Sequence, residues 1–307
     1  MINFYYKSIS DINLQKLLNF KKGCLIYCFD CDEKDLEILK KKFKLNENLL
    51  KDALDIYEIP RIEKDNNQIY LFLRLPYFEK KNIFTSVLLI VIDKNFIAFI
   101  SLFKNEIIEN FLIEKQKEIF TTQKNKLVIQ FYYYVYNYFE KIILRINKEI
   151  RKNALNIKEV SDNDLKRLIK LEIIFHDLID ALVSNKTVLN NILRGNILNL
   201  FPQDKELIEN LLIKMEEIEK LSKAIDRNLV NIREGYENIF TNHINQILKI
   251  LTFLTILISI PTMLSSFYGM NVTLPLQDFK YTFYLIIFIS LVLIGILFLI
   301  FKYKKWL

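Results

Sequence analysis

The pattern of apolar and polar residues is most informative near the C-terminus, where two long apolar runs occur. No charged residue lies between Ile250 and Phe267 or between Tyr281 and Phe301. A helix needs roughly 20 mainly apolar residues to cross the hydrocarbon core of a bilayer. We therefore predict two membrane-spanning helices, with the lipid bilayer as a partner of the protein.

The residues before the first apolar run follow the 3.6-residue period of a helix. No proline occurs between Pro202 and Pro261, so residues 204–267 are predicted to form one helix of roughly 95 Å, at 1.5 Å per residue. This length indicates a stalk that continues into the membrane. Five apolar residues recur every seven positions along it: Leu211, Ile218, Ile225, Ile232 and Ile239. Such heptads favour self-association with helices of other copies, and packing only on helices of the same chain is the alternative.

The first third of the chain has a different pattern, with short runs rich in β-branched and aromatic residues. Strands are predicted at residues 23–29, 68–75, 85–92 and 96–102, and helices at 35–43 and 46–55. Two long amphipathic helices follow, at 105–153 and 162–195. The predicted divisions are 1–105 (α/β head), 106–203 (helical), 204–267 (stalk and first span), 268–280 (external loop), 281–301 (second span) and 302–307 (basic tail).

A stripe of mostly polar residues lies on one face of the first span. Its members are spaced alternately three and four apart: Asn245, Leu248, Thr252, Thr255, Ser259, Thr262 and Ser266. A polar stripe within a span should face a water-filled lumen or a neighbouring helix. Alternatively, the hydroxyls only bond back to carbonyls of their own helix. Two spans cannot enclose a pore, but a ring of copies could, so the pattern predicts a homo-oligomeric channel.

Charge sets the predicted orientation and excludes one class of partner. The 307 residues carry a formal net charge of +7, and three of the lysines lie in the tail at 302–307. No basic helical stripe indicates nucleic-acid binding. Lys249 and the tail flank the spans, whereas the loop between them is nearly neutral, so both termini are predicted to be cytoplasmic in the inner membrane of the cell.

The cysteines and histidines offer little chemistry. Cys24, Cys28 and Cys31 lie close together, but a zinc site needs a fourth ligand, and His176 and His243 are distant in sequence. We expect three free thiols in a reducing compartment. No phosphate-binding loop or HExxH motif is present, so neither an enzyme nor an organic substrate is predicted.

The first span ends in Tyr268-Gly269-Met270-Asn271, which resembles the signature of the CorA magnesium channel family. The resemblance extends upstream over residues 245–262, to the terminal Lys-Lys-Trp-Leu, and to residues 53–76 of the head. The order of head, stalk and two C-terminal spans is also similar, so the resemblance covers essentially the whole chain.

The resemblance implies a funnel-shaped homopentamer that transports Mg²⁺ and is also regulated by it. It implies a selectivity filter of Gly269, Met270 and Asn271, supported by Tyr268, and a hydrophobic gate at Leu248 and Leu251. The pore lining would comprise Asn245, Leu248, Leu251, Thr252, Thr255, Ser259, Thr262 and Ser266. Gly269 is expected to allow a turn that a Cβ would hinder.

Other features leave alternatives open. Regulatory metal sites on the stalk would use acids such as Glu209, Asp226 and Glu234, although each is also an ordinary helix acid. The external loop carries Asp278 and Lys280 but lacks the acidic residues common in the family. A transporter of Co²⁺, Ni²⁺ or Zn²⁺ with the same architecture is one alternative, and a membrane-tethered scaffold without transport is another.

Overall fold

The computed structural model describes residues 1–79, 82–155, 162–195, 197–276 and 279–304. The loop aspartate Asp278 and the tail residues Lys305 and Trp306 lie outside these ranges. The chain divides into two compact units, Met1–Asn231 and Ile232–Leu307. The predicted fold class is confirmed, because an α/β region is followed by helices, one very long helix and a second apolar helix.

A seven-stranded mixed sheet forms the centre of the first unit. Its strands are β1 (Ile2–Tyr6), β2 (Gln15–Leu17), β3 (Cys24–Cys28), β4 (Ile62–Asp65), β5 (Gln68–Glu79), β6 (Asn82–Ile92) and β7 (Phe96–Ser101). The spatial order is β2-β1-β3-β7-β6-β5-β4, with β3 and β7 parallel and the other pairs antiparallel. Strands β1, β2 and β4 were not predicted from the sequence, because they are short and lack a fully buried run.

Helices cover both faces of this sheet. They are α1 (Glu33–Phe43), α2 (Glu47–Asp52), α3 (Glu106–Glu114), α4 (Lys124–Leu155) and α5 (Asp162–Arg194). On one face, Leu39 and Phe43 of α1 join a buried cluster with Cys24, Ile26 and Cys28 of β3. On the other face, Phe99 of β7 packs against Phe131 of α4, with 4.8 Å between the ring centroids.

The predicted helix at 105–153 is interrupted between α3 and α4. Lys7, only 1 % exposed, inserts its ammonium here and donates to the carbonyls of Gln116 and Lys117 at 2.7 and 2.8 Å. A buried ammonium requires such partners. The segment between the two helices is therefore bound by a residue more than a hundred positions away.

The long helix α6 (Pro202–Tyr268) runs for 67 residues and includes Pro261 without a break. The heptad residues Leu211, Ile218 and Ile225 are buried by the chain itself, whereas Ile239 is 41 % exposed. For the buried part of the seam, the structure thus favours packing within the chain.

The second unit contains the end of α6 and the helix α7 (Thr282–Tyr303). Both helices contain a segment long and apolar enough to cross a membrane, and only 6 % of each segment is buried. Phe253 of α6 is buried and contacts Phe298 and Phe301 of α7, with centroid distances of 6.3 and 5.1 Å. These two spans therefore pack side by side.

Candidate functional site

The polar stripe of the first span lies on a surface of the second unit that the chain leaves uncovered. All of the candidate pore-lining residues are exposed: Asn245, Leu248, Leu251, Thr252, Thr255, Ser259, Thr262 and Ser266. The contact with α7 is made elsewhere on α6, by Phe253. Within residues 1–79, 82–155, 162–195, 197–276 and 279–304, no other part of the chain covers the stripe.

Four hydroxyls of the stripe donate to carbonyls one turn earlier in α6. The acceptor distances are 2.8 Å for Thr252 to Leu248, 2.9 Å for Thr255 to Leu251, 2.7 Å for Ser259 to Thr255 and 2.8 Å for Thr262 to Ile258. This is the back-bonding that the sequence left open as an alternative. It uses the hydroxyl hydrogens, so towards any other group each oxygen can act only as an acceptor, through its two lone pairs.

The stripe ends where α6 ends. The Gly269 N–H donates to the carbonyls of Ser265 and Ser266 at 3.0 and 3.2 Å, and the Met270 N–H donates to Phe267 at 3.2 Å. Gly269 does not have a positive φ, and a Cβ built on it would lie 3.5 Å from the nearest carbonyl oxygens. The expectation that this turn excludes a Cβ is therefore wrong for the chain by itself, since the backbone stays in the ordinary region.

The loop after α6 is tied back by a tyrosine. The Tyr268 hydroxyl donates to the Pro275 carbonyl at 3.1 Å, and the Thr282 hydroxyl donates to the Leu276 and Phe279 carbonyls at 2.5 and 2.7 Å. Asn271 is exposed, and none of the hydrogen bonds in the described part of the chain uses its side-chain amide. That amide is consequently available to an external ligand.

The three candidate regulatory acids are not brought together within one chain. Glu209, Asp226 and Glu234 lie along α6, separated by roughly 25 and 12 Å at 1.5 Å per residue. The Asp226 carboxylate is paired with His176 of α5, with 2.7 Å between Oδ1 and Nε2. The sequence does not predict this pair, because the α5–α6 contact that brings His176 to Asp226 joins residues 50 positions apart.

The cysteines differ from the expectation of three free thiols. Cys28 and Cys31 are joined by a disulfide, and Cys24 is buried and free. The turn from β3 into α1 places the Cα atoms of Cys28 and Cys31 6.3 Å apart. Burial raises the pKa of the Cys24 thiol, which makes it unreactive.

Comparison with known proteins gives three consistent matches. The sequence model of the family described as "CorA-like Mg2+ transporter protein" matches residues 24–304. The "Cobalt/magnesium transport protein CorA" of Methanocaldococcus jannaschii is 26 % identical over 308 residues, covering 94 % of this chain and 93 % of the relative. The "Magnesium transport protein CorA" of Helicobacter pylori is 31 % identical over 184 residues, covering 55 % of each chain.

The fold is also similar to a solved structure. "The complete structure of CorA magnesium transporter from Methanocaldococcus jannaschii" matches with a TM-score of 0.76 and 23 % identity, covering 100 % of this chain and 99 % of that one. This likeness extends over the head, the long helix and both apolar helices.

Proposed function

Because the chain belongs to the family of CorA-like Mg²⁺ transporter proteins, we propose that it transports Mg²⁺ across the cytoplasmic membrane. The pore is a ring of five copies, lined by the stripe of α6. The uncovered polar stripe that ends at the exposed Asn271 amide carries this proposal. A polar face on a membrane helix needs water or other polar partners, and copies arranged around a lumen supply both.

The filter acts on the hydrated ion. Mg²⁺ dehydrates reluctantly, so its outermost groups are the hydrogens of bound water. A ring of neutral Asn271 carbonyl oxygens accepts hydrogen bonds from that water. Neutral ligands bind weakly enough for the ion to leave again, which conduction requires.

The back-bonded hydroxyls extend the same chemistry along the pore. Since their hydrogens are held by carbonyls of α6, Thr252, Thr255, Ser259 and Thr262 present acceptors to the lumen. A hydrated cation directs its donors outwards and fits this lining, whereas the shell of a hydrated anion presents the opposite polarity. The lining therefore favours cations without carrying any charge.

Two rings of apolar side chains interrupt the polar lining of the proposed pore. Leu248 and Leu251 are 51 % and 57 % exposed in one chain, and in a ring of copies they would face the lumen. A narrow apolar constriction gates by excluding water. Asn245, about one turn before Leu248, would mark the cytoplasmic entrance.

The cytoplasmic side carries the regulation in this proposal. Both termini face the cytoplasm, and Glu209, Asp226 and Glu234 bind regulatory Mg²⁺ between neighbouring copies. Their spread along α6 supports contacts with another chain rather than a site within one, although Asp226 would have to leave its partner His176 to bind the ion. Replacing all three by the corresponding amides should leave transport open at high internal Mg²⁺, whereas unchanged inhibition would contradict the assignment.

The central test is Mg²⁺ uptake into liposomes loaded with a fluorescent indicator. Asn271→Ala should lower the rate at least about tenfold, because the filter loses its acceptors. Ser290→Ala is the matched control, since Ser290 is buried on α7 and its hydroxyl donates to the Ile286 carbonyl of the same helix. Normal uptake by Asn271→Ala would contradict the filter, and a wild-type protein without any flux would favour a membrane-tethered scaffold.

A second candidate substrate is supported by the M. jannaschii relative, whose name includes cobalt. The same liposomes can be tested with Co²⁺, Ni²⁺ and Zn²⁺. We expect Co²⁺ to compete with Mg²⁺ for one pathway. If the protein transports Zn²⁺ but not Mg²⁺, the proposed substrate would have to be changed to Zn²⁺.

A further inference from the structure

A group of three metal-ligand side chains lies in the first unit, where β3 leads into α1. Cys28 is the last residue of β3, and Asp32 caps α1, its carboxylate accepting from the Asp35 N–H at 2.8 Å. This capping places Asp35 in the first turn of the helix, near the strand end. One ligand atom each of Cys28, Cys31 and Asp35 lie within 4.8 Å of one another.

The position of the group is open on one side and apolar on the other. Cys28 is fully buried in the cluster that fills this face of the sheet, and Cys31 packs against that cluster. Cys31 and Asp35 are partly exposed. An ion could therefore enter from solvent and bind against the apolar cluster.

The donor set determines which ion fits. Two thiolates and one carboxylate suit thiophilic cations such as Zn²⁺ and Co²⁺, whereas Mg²⁺ takes oxygen ligands. Tetrahedral coordination with metal–sulfur bonds of about 2.3 Å separates two sulfurs by about 3.8 Å. The sulfurs of Cys28 and Cys31 are bonded to each other in the structure, so they must move apart on reduction before both can bind one cation. We propose that Cys28, Cys31 and Asp35 bind a thiophilic divalent cation, with water as the fourth ligand, at a site separate from the transport path.

Binding requires reduction of the disulfide present in the structure. A dithiol reductant transfers two electrons and two protons to the pair, giving two cysteine thiols and the oxidised cyclic disulfide. The cation then displaces both thiol protons to water. Asp35 already accepts from the α-ammonium of Met1 through Oδ2 at 2.5 Å, so the cation would use its other oxygen.

The test is a Co²⁺ titration of the full-length protein in detergent, after reduction and removal of the reductant under argon. Tetrahedral thiolate ligation gives a sulfur-to-cobalt charge-transfer absorption and intense visible bands. We expect one equivalent per chain for the reduced wild type and for Cys24→Ser, which removes a cysteine of the same strand that is not in the group. Excess Mg²⁺ should not displace the signal, whereas Zn²⁺ should.

The variants give opposite expectations. Cys31→Ser should lose the charge-transfer absorption, and Asp35→Asn should weaken binding at least about tenfold, the loss typical of removing even an outer-shell partner. The oxidised wild type tests the need for free thiols without a mutation and should give no charge-transfer absorption. Absence of absorption in the reduced wild type, or full absorption in Cys31→Ser or the oxidised protein, would overturn the site. Because the readout is optical, it is independent of whether the protein transports Mg²⁺.

Discussion

At the residue scale, a single amide completes the hydrogen bonding of β5. Asn185 of α5 is 2 % exposed, accepts from the Arg74 N–H at 2.9 Å and donates to the Arg74 carbonyl at 2.7 Å. β4 pairs with β5 only as far as Leu71, so Asn185 replaces the missing strand neighbour.

Replacing Asn185 by Ala should therefore destabilise the first unit without touching the ion path. Leaving the two backbone groups unsatisfied costs about 2 kcal/mol or more. Denaturant unfolding followed by circular dichroism would measure this loss, with Thr187→Ala on the exposed side of α5 as the control. Equal midpoints for the two variants would show that Asn185 is dispensable.

A second residue-scale prediction concerns the external loop. Tyr268→Phe removes the donor to the Pro275 carbonyl, a bond worth about 1 kcal/mol. Peptides covering 269–276 should exchange backbone hydrogens faster, and Mg²⁺ uptake should fall several-fold because the filter is less firmly placed. The mass of the oligomer should not change. If hydrogen exchange of these peptides is the same in the variant and the wild type, the Tyr268 hydroxyl does not position the filter.

At the element scale, α6 joins a helix packed on the first unit to a membrane span. Its acceptor stripe can be tested with one side chain. In the proposed pore, Thr255→Val removes an oxygen from the lining and should slow Mg²⁺ uptake several-fold, because it replaces an acceptor by an apolar group. Thr255→Ser keeps the oxygen and should transport normally. Equal rates for Val and Ser would mean that the stripe does not contact the ion.

The contact between α5 and α6 supplies a pH prediction. Glu219 pairs with Lys186 and Lys223 at 2.7 and 2.8 Å, and hydrogen bonds from these ammoniums lower the pKa of its carboxyl. The pairing therefore stabilises the fold above the unfolded pKa of about 4.3 and is lost as pH falls through the lower folded value.

Glu219→Gln should accordingly lower the free energy of unfolding at pH 7 by at most about 1 kcal/mol relative to the wild type, and so lower the unfolding temperature. The difference should shrink as the pH is lowered below about 4.3. Scanning calorimetry at several pH values measures this trend. A difference that stays constant down to low pH would assign the effect to packing rather than charge.

At the scale of the whole molecule, the exposed polar stripe of α6 supports assembly of several copies of the chain. In one chain the stripe is exposed beside apolar residues such as Ile258. In the proposed assembly, further copies shield the polar stripe from lipid, while the apolar residues remain in contact with it. Native mass spectrometry in detergent should give a mass about five times the 36.8 kDa of one chain. A monomer both with and without Mg²⁺ would refute the pore.

Much of this protein was determined by local sequence patterns. The two charge-free runs, the uninterrupted stretch after Pro202 and the 3-4 spacing from Asn245 to Ser266 specify the spans, the long helix and the stripe, because helical period and lipid solvation act over neighbouring residues. The signature at 268–271 identified the family in the same way, since its residues are consecutive.

Only the tertiary structure decided what depends on residues distant in sequence. Lys7 binds the segment between α3 and α4, the chain's own helices bury Leu211 and Ile218, and His176 of α5 pairs with Asp226. The meeting of Cys28, Cys31 and Asp35 likewise depends on the exact turn from strand to helix. Periodicity reports which face of a helix is apolar, but folding selects the partner for that face.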